Sequence, residues 1–247
     1  MTSPIRVQHD EQTAAIPFEL LLSAASEGRD DYFALDAGVS RSLQTALPAP
    51  VRWDVAGAPR VLLVVDPNEN LPIAREEARF LQEDLAGRGA EILAPLVGPA
   101  ATVEAVRAAL PRIDVLHYAG HATPGGLRLY DGPLEPQAFE NLGKHGPVLV
   151  VLNACQSGVV EQRSRTNEQT LAKAILQSGV RCFVGTGWRV PDGVGARFGR
   201  RFLRQVIDGS SVGVAFARTL HALRHQDFDL PYWFYYRLFG DPDLVCR

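Results

Sequence analysis

Cysteine is scarce in this chain, with Cys155, Cys182 and Cys246 the only three among 247 residues. So small and odd a number argues against a disulfide framework and indicates a reducing compartment. Long apolar runs are also missing, since no stretch approaches the ~20 residues that span a bilayer. The first residues, MTSPIRVQHDEQ, lack the apolar core of a signal peptide. We therefore expect a cytoplasmic protein that does not enter a membrane.

Neither sign of charge dominates the sequence, whose formal net charge at pH 7 is -3. No overall field therefore favours direct binding to nucleic acid. Hydrophobic residues make up 46% and charged residues 21% of the chain, which are ordinary values for a globular protein and exclude a disordered one. No repeat of 30–45 residues is visible, so a helical-repeat array is excluded as well.

Residues 1–59 lack the regular alternation of apolar runs and helical patterns that begins at residue 60. They are predicted to form an N-terminal extension and linker. Phe18–Leu22 and Tyr32–Leu35 are short apolar stretches around a polar turn, which favours two short strands. Residues 47–59 are rich in proline and alanine and indicate a connector. We expect the second unit to cover residues 60–247.

From residue 60 onward, short apolar runs alternate with helical patterns. The predicted strands are Val61–Val65, Ala90–Leu93, Ile113–Tyr118, Val148–Asn153, Val180–Val184 and Trp233–Phe239. Predicted helices begin near Pro72, at Thr102, at the capping box Thr166–Gln169, at residue 193 and at Val212. This alternation predicts an α/β fold with a central, mostly parallel sheet flanked by helices on both faces. In such sheets the working residues lie beyond the carboxyl ends of the strands.

A histidine and a cysteine follow two successive predicted strands. His121 comes just after the third strand, and Cys155 comes just after the fourth. If these strands are neighbours, they lie ~4.8 Å apart, and residues 122–146 are long enough for the crossover that a parallel pair requires. A thiolate attacks a carbonyl while a histidine handles the proton, so the pair indicates nucleophilic catalysis. Small residues after Cys155 leave backbone N–H groups for an oxyanion.

Several motifs, in order, resemble the CHAT domain, a bacterial branch of the caspase–separase–gingipain group of cysteine peptidases. They are Tyr118–His121 (YAGH), Leu152–Gly158 (LNACQSG), the helix–glycine–strand pattern of Leu171–Trp188, Trp188–Asp192 (WRVPD) and Tyr232–Pro242. The resemblance covers residues 60–247 and implies a caspase-like domain.

The resemblance also implies roles for particular residues. His121 would be the base and Cys155 the nucleophile of a catalytic dyad. The backbone N–H groups of Cys155 and Ala122 would form the oxyanion hole, although the family usually has glycine after the histidine. Trp188 and Asp192 would line the substrate groove. A carboxylate there favours a basic P1 side chain, but Asp192 could equally be the N-cap of the predicted helix over 193–208.

Other polar residues are better explained as structural. His117 lies within a buried strand and is interpreted as a hydrogen-bonded core histidine. His221 and His225 have the i, i+4 spacing of metal ligands, but no third ligand is evident, so we expect neither a metal nor a cofactor. A basic stripe on one predicted helix is interpreted as a solvated face rather than an anion-binding surface. Its members are Arg197, Arg200, Arg201 and Arg204.

These observations predict a cysteine endopeptidase that acts on a protein substrate. The resemblance implies a role in bacterial signalling or defence, with a regulatory or sensor protein acting in trans. The alternative is a non-catalytic caspase-like interaction module, which the presence of both Cys155 and His121 argues against. A glutamine amidotransferase requires a G-x-C-x-G elbow, which Asn153–Gly158 does not supply.

Overall fold

A computed structural model gives the fold of most of the chain. It describes residues 4–9, 16–21, 32–36, 38–43, 57–123, 126–139, 142, 145–154, 171–172, 175–225 and 231–245. Cys155, Cys246 and the predicted capping box at Thr166–Gln169 lie outside the described residues.

The described residues form twelve strands and five labelled helices. The strands are β1 (Ile5–His9), β2 (Val39–Leu43), β3 (Arg60–Val65), β4 (Glu91–Ile92), β5 (Leu96–Val97), β6 (Val115–Gly120), β7 (Ala122–Thr123), β8 (Gly126–Arg128), β9 (Pro133–Leu134), β10 (Leu149–Ala154), β11 (Cys182–Thr186) and β12 (Tyr236–Gly240). The helices are α1 (Phe33–Asp36), α2 (Pro72–Gly87), α3 (Val103–Ala109), α4 (Asp192–Ile207) and α5 (Val212–Arg224). Residues 171–172 and 175–177 are also helical.

Nine of these strands form the main sheet, in the order β1-β2-β12-β11-β10-β6-β3-β4, with β5 also beside β3. Every neighbouring pair is parallel except β11 and β12. The strands β7, β8 and β9 form a small antiparallel sheet that follows β6. The predicted α/β fold with a mostly parallel central sheet is therefore confirmed.

Helices cover both faces of the main sheet, as predicted, because each presents an apolar stripe to it. On one face, α2, α4 and α5 contribute Leu81, Phe198 and Phe216 to a buried cluster. On the other, α3 and the helical residues near Ile175 contribute to a second cluster that includes Val106. The apolar stripes of α4 and α5, which run from Val194 to Val206 and from Val212 to Leu223, are buried, whereas Ile73 at the start of α2 is 42% exposed.

Three strand predictions are wholly or partly wrong. Phe18–Leu20 is a 3₁₀ helix, because Pro17 before it cannot donate a ladder hydrogen bond and Glu19 turns inward. Phe33–Asp36 is helical, since a short apolar run fits a buried helix as well as a strand. The last predicted strand begins only at Tyr236, because Tyr232–Tyr235 form a 3₁₀ helix after Pro231.

The N-terminal strands belong to the main sheet, where β2 pairs with β12. A buried ion pair supports this region, with Nε and Nη2 of Arg41 donating to the carboxylate of Glu19 at 2.8 and 2.6 Å. Both side chains are at most 1% exposed. The sheet therefore extends across residue 59, and the division into separate units over 1–59 and 60–247 stays a prediction.

Candidate active site

The two strands that precede the predicted dyad are direct neighbours. β6 and β10 are parallel and in register, with Ala119 opposite Asn153 and Gly120 opposite Ala154. His121 is the next residue after the first strand, and Cys155 follows the second in sequence. The strand ends therefore lie at the same depth on the carboxyl edge of the sheet, where α/β proteins place their sites. The dyad itself stays a prediction, because Cys155 lies outside the described residues.

The ring of His121 is held by an amide that the sequence analysis missed. Nε2 of His121 lies 3.0 Å from Oδ1 of Asn70. An amide oxygen only accepts hydrogen bonds, so Nε2 must carry the proton in this contact. In the neutral ring, Nδ1 is then the basic nitrogen. Asn70 thus has the geometry of the third group that orients the histidine of a nucleophile–histidine pair.

A tight turn after β3 places Asn70 beside the ring of His121. Asp66 begins the turn with a φ of 47°, in the left-handed region, and its own N–H donates to the carbonyl of Ala119 on β6 at 2.8 Å. Its buried carboxylate accepts the N–H groups of Asn70 and Leu71 at 2.7 and 2.9 Å. It also accepts Nε of Arg75 at 2.6 Å. Asp66 therefore fixes the turn against the strand that carries His121.

The backbone of His121 is fixed from the opposite face of the sheet. The Tyr118 hydroxyl lies 2.7 Å from the carbonyls of both His121 and Arg128, and it has one proton to donate between them. Burial raises the pKa of Tyr118, so this hydroxyl stays protonated. Gly120 makes the contact possible, since a Cβ there would lie only 2.4 Å from the Tyr118 oxygen, a severe clash.

The end of β10 is fixed just as firmly. Nδ2 of Asn153 donates to the carbonyl of Gly195 at 2.8 Å, and the Tyr236 hydroxyl donates to Oδ1 of Asn153 at 3.3 Å. The Thr186 hydroxyl donates to the carbonyl of Ala154 at 3.0 Å. Neighbouring elements therefore hold the two residues that precede Cys155, so the backbone enters the predicted nucleophile position from a fixed strand.

Ala122, predicted to supply an oxyanion N–H, begins the short strand β7 opposite Leu127. Its oxyanion role stays a prediction. Trp188 is half-buried, and its ring packs against Phe234 and Tyr235 at centroid distances of 5.7 and 5.5 Å. The Arg237 guanidinium lies 5.0 Å from the Trp188 ring centre.

Asp192 acts as a helix cap, but for a different helix from the predicted one. The N-cap of α4 is Pro191, which makes no side-chain bond, and Asp192 is the first residue of α4. Its carboxylate instead accepts the N–H of Ile73 in the first turn of α2 at 3.0 Å. Burial raises the pKa of Asp192, while hydrogen bonds from the backbone of Ile73 and Ala74 oppose that shift. The expectation of a cap for its own helix is therefore wrong.

A small cavity lies behind the strand ends, between the sheet and the first turns of α2 and α4. Its lining includes Asn153, Asp192, Glu77 and Tyr236 but not Trp188. Its volume of about 10 Å³ has room for about one water molecule. The structure therefore does not bring Trp188 and Asp192 into one described cavity.

A second acid is buried beside this cavity. Glu77 on α2 is 1% exposed, and its Oε1 lies 3.3 Å from Nε2 of His117, which is fully buried. The contact does not have the geometry of a hydrogen bond. Neither ring nitrogen of His117 has a hydrogen-bond partner among the described residues. His117 is a core residue as predicted, but the expected hydrogen bonding is wrong. Burial raises the pKa of Glu77, and the nearby His117 opposes that shift.

Cys182 is buried, and its thiol donates to the carbonyl of Asp241 at 2.7 Å. Burial raises the pKa of this thiol, which makes it a poor nucleophile. The rings of His221 and His225 lie 4.5 Å apart. In the part of the chain that the structure describes, no three potential metal-ligating side chains come together. No helix in that part is long and apolar enough to cross a membrane.

The solved structures that resemble this fold include a cysteine proteinase. Gingipain R (RgpB), described as an Arg-specific cysteine proteinase, superposes with a TM-score of 0.65 and 11% identity over 85% of this chain and 55% of its own. Separase of Saccharomyces cerevisiae, in its complex with securin, superposes with a TM-score of 0.58 and 16% identity over 86% of this chain and 15% of its own. A complex of Porphyromonas gingivalis RgpB pro- and mature domains gives a TM-score of 0.65 at 10% identity, over 85% of this chain and 56% of that one.

The chain thus spans about half the length of gingipain and a small part of separase. At these identities the likeness concerns the fold, and it defines a caspase-like α/β protein. The sequence profile of the CHAT domain matches residues 2–241, so the chain belongs to the CHAT domain family. No curated protein sequence matches it.

Proposed function

We propose that this protein is a cysteine endopeptidase that hydrolyses a protein substrate through Cys155 and His121. One observation carries the proposal. The register of β6 and β10 ends both strands at the same depth, and Asn70 holds the His121 ring there through Nε2. That arrangement leaves Nδ1 as the base that a thiol nucleophile needs.

The reaction follows from these roles. Nδ1 of His121 takes the proton of the Cys155 thiol, and the thiolate attacks the scissile carbonyl carbon. Backbone N–H groups of Cys155 and Ala122 stabilise the oxyanion, and His121 returns its proton to the departing amine. Water, deprotonated by the same nitrogen, then attacks the thioester, which releases the acid product and restores the thiol.

The substrate preference proposed for this site is a basic P1 residue, recognised by Asp192 beside the groove of Trp188. A carboxylate pairs with arginine through two hydrogen bonds, and the related fold of gingipain R belongs to an Arg-specific enzyme. Asp192→Asn keeps an oxygen that can accept the Ile73 N–H, so this variant separates the charge from the helix cap. Its preference for basic P1 residues should fall more than its basal turnover.

We propose that a regulatory protein controls this activity in trans, in bacterial signalling or defence in the cytoplasm. Separase is found in a complex with securin, and the mature domain of RgpB in a complex with the pro-domain. A protein partner that occupies or releases the groove would regulate this chain.

The deciding experiment measures how fast iodoacetamide alkylates Cys155, site by site, by mass spectrometry. A thiolate reacts and a thiol does not, so the base should accelerate the reaction near neutral pH. His121→Ala should slow it about tenfold or more, and Cys182 should stay unmodified in the folded protein. Cleavage of a peptide library should disappear in Cys155→Ala and persist in Cys182→Ala. Equal alkylation of Cys155 in wild type and His121→Ala would favour the non-catalytic interaction module.

A further inference from the structure

An open groove on the outer surface of α2, α4 and α5 is lined by arginine. Its volume is about 700 Å³, within the range of protein ligand sites. The arginines on its lining are Arg88, Arg197, Arg200, Arg201, Arg204 and Arg218. Two carboxylates, those of Asp84 and Asp208, lie in contact with them. We call this surface the arginine groove. Its local excess of positive charge contrasts with the net charge of -3 on the whole chain.

Two of these guanidinium groups pack on an aromatic ring, and one of them is partly desolvated. The guanidinium groups of Arg200 and Arg204 lie over the ring of Phe80, at 4.5 and 5.7 Å from its centre. Nε of Arg200 is buried and has no hydrogen-bond partner among the described residues. A desolvated cation with an unmet donor attracts an anion more strongly than a solvated one.

The groove already binds carboxylates of its own chain. Nη1 of Arg88 lies 2.6 Å from both oxygens of Asp208, and Nε of Arg204 lies 3.0 Å from Oδ2 of Asp84. Arg201 and Arg218 are exposed, and no carboxylate among the described residues forms an ion pair with either. Guanidinium groups of the kind that bind these two carboxylates are therefore available for further ones.

The sequence favours a solvated face for the basic stripe of α4, but the structure places its four arginines on one groove. We propose that the arginine groove docks an acidic segment, rich in Asp or Glu, of a partner protein. Such a segment places carboxylates every ~6.6 Å when alternate residues of an extended chain face the groove. Residues 197–204 of α4 extend over ~10 Å, so two such carboxylates match this row of guanidinium groups.

Nucleic acid fits the same surface less well. Glu76 and Glu83 are exposed on α2, one turn to either side of Phe80, and their charge repels a long phosphate backbone that runs past the groove. Phe80, the aromatic residue on the lining, is covered by two guanidinium groups and cannot stack with a base. A short acidic segment fits between these acidic borders.

The groove lies apart from the strand ends that carry the proposed dyad. α2 and α4 meet at their first turns, through Asp192 and Ile73, whereas Arg88 and Asp208 lie at their far ends. An acidic segment can therefore bind here while the site edge stays open to substrate. Docking does not depend on the proposed peptidase activity. A binding measurement therefore tests the docking proposal without a cleavage assay.

The test uses fluorescence polarisation of a labelled peptide of about four residues that alternates Glu and Ser, ~13 Å long when extended. The same peptide with Gln in place of Glu is the neutral control, and a single-stranded oligothymidine of about ten nucleotides tests the nucleic-acid alternative. We expect the Glu peptide to bind, the Gln peptide not to bind, and the affinity to fall as salt rises.

Variants locate the site. Arg201→Glu combined with Arg218→Glu should weaken binding of the Glu peptide about tenfold or more, because attraction becomes repulsion. Arg107→Glu combined with Arg112→Glu makes the same charge change at exposed positions on the other face of the sheet, and it should leave affinity within about twofold. Unchanged thermal unfolding midpoints confirm that both double variants fold. Equal weakening by the two double variants, or tighter binding of the oligonucleotide than of the Glu peptide, would overturn the proposal.

Discussion

The two faces of β6 and β10 differ in what they bury, although the same two strands supply both. The face toward α2 and α4 includes His117 and Asn153, with Glu77 packed against them from α2. The face toward α3 is apolar except for Tyr118, whose hydroxyl is hydrogen-bonded to backbone carbonyls. Polar groups are buried where the cavity and the proposed site lie. The apolar face stabilises the fold. On the other face, the burial of polar side chains lowers stability but positions those groups near the proposed site.

The largest effect expected from this comparison is on the apolar face. Leu116→Ala should lower the free energy of unfolding by about 2–5 kcal/mol, because Leu116 is fully buried and its loss leaves a cavity. Urea denaturation measures the change. Below the melting temperature the variant should keep its catalytic rate constant. A loss of activity without a loss of stability would mean that this face also takes part in catalysis.

The next effect concerns the site edge itself. Asn70→Ala should lower kcat about tenfold with little change in KM, since it releases the His121 ring but touches no substrate group. The peptide-cleavage assay measures both constants. Asn70→Asp keeps an acceptor oxygen at that position and should recover most of the lost rate. If the alanine variant raised KM instead, Asn70 would be a substrate contact.

Tyr118→Phe tests whether the apolar face influences the site through one hydroxyl. Stability should fall by about 1 kcal/mol, the usual net value of one hydrogen bond. Turnover should change less than in Asn70→Ala, because the carbonyl of His121 still accepts the N–H of Arg128 at 2.8 Å. Thermal unfolding and steady-state kinetics on the same samples separate these two effects. A larger fall in kcat than in Asn70→Ala would make Tyr118 the main support of His121.

The smallest effect expected is a pH dependence on the polar face. Burial raises the pKa of Glu77 in the folded protein above its unfolded value of about 4.3. Its contribution to stability is therefore complete below that unfolded value and is lost as pH rises through the folded pKa. Gln does not titrate, so Glu77→Gln lacks this loss of stability at higher pH. The free energy of unfolding of the variant, relative to that of wild type, should therefore increase with pH above about 4.3. Denaturation at several pH values gives both curves, and parallel curves would contradict the expectation.

Much of the fold beyond residue 60 is predictable from the sequence, because buried parallel strands and amphipathic helices have distinct apolar patterns. The same patterns place His121 beyond the carboxyl end of a strand. That β6 and β10 are neighbours is shown only by the structure. Phe18–Leu20 and Phe33–Leu35 are harder to assign, since short apolar runs have no period that separates strand from helix. For Phe18–Leu20, Pro17 and the buried pair of Glu19 and Arg41 favour the helical turn instead.

The contacts at the site that the sequence did not reveal join distant parts of the chain. Asp192 caps a helix that begins more than a hundred residues earlier, which no local spacing reveals. Asn70 could have been identified from the sequence, because Asp66–Asn70 follows the carboxyl end of β3 and consists of turn-forming and polar residues. The rule that directs attention to strand ends, applied to the first strand as well as to the third and fourth, would have found it.

The pairing of β2 with β12 has a consequence for the order in which the protein folds during synthesis. β12 lies between β2 and β11, and the Ser40 hydroxyl donates to the carbonyl of Gly240, 200 residues away. At ribosomal rates of about 5–20 residues per second, roughly 10–40 s pass between the synthesis of β2 and that of β12, the strand with which β2 pairs. Until then the edge of β11 is open to pairing with another nascent chain. Slow codons between those for β11 and those for β12, or a ribosome that stalls there, should therefore increase aggregation more than pauses elsewhere.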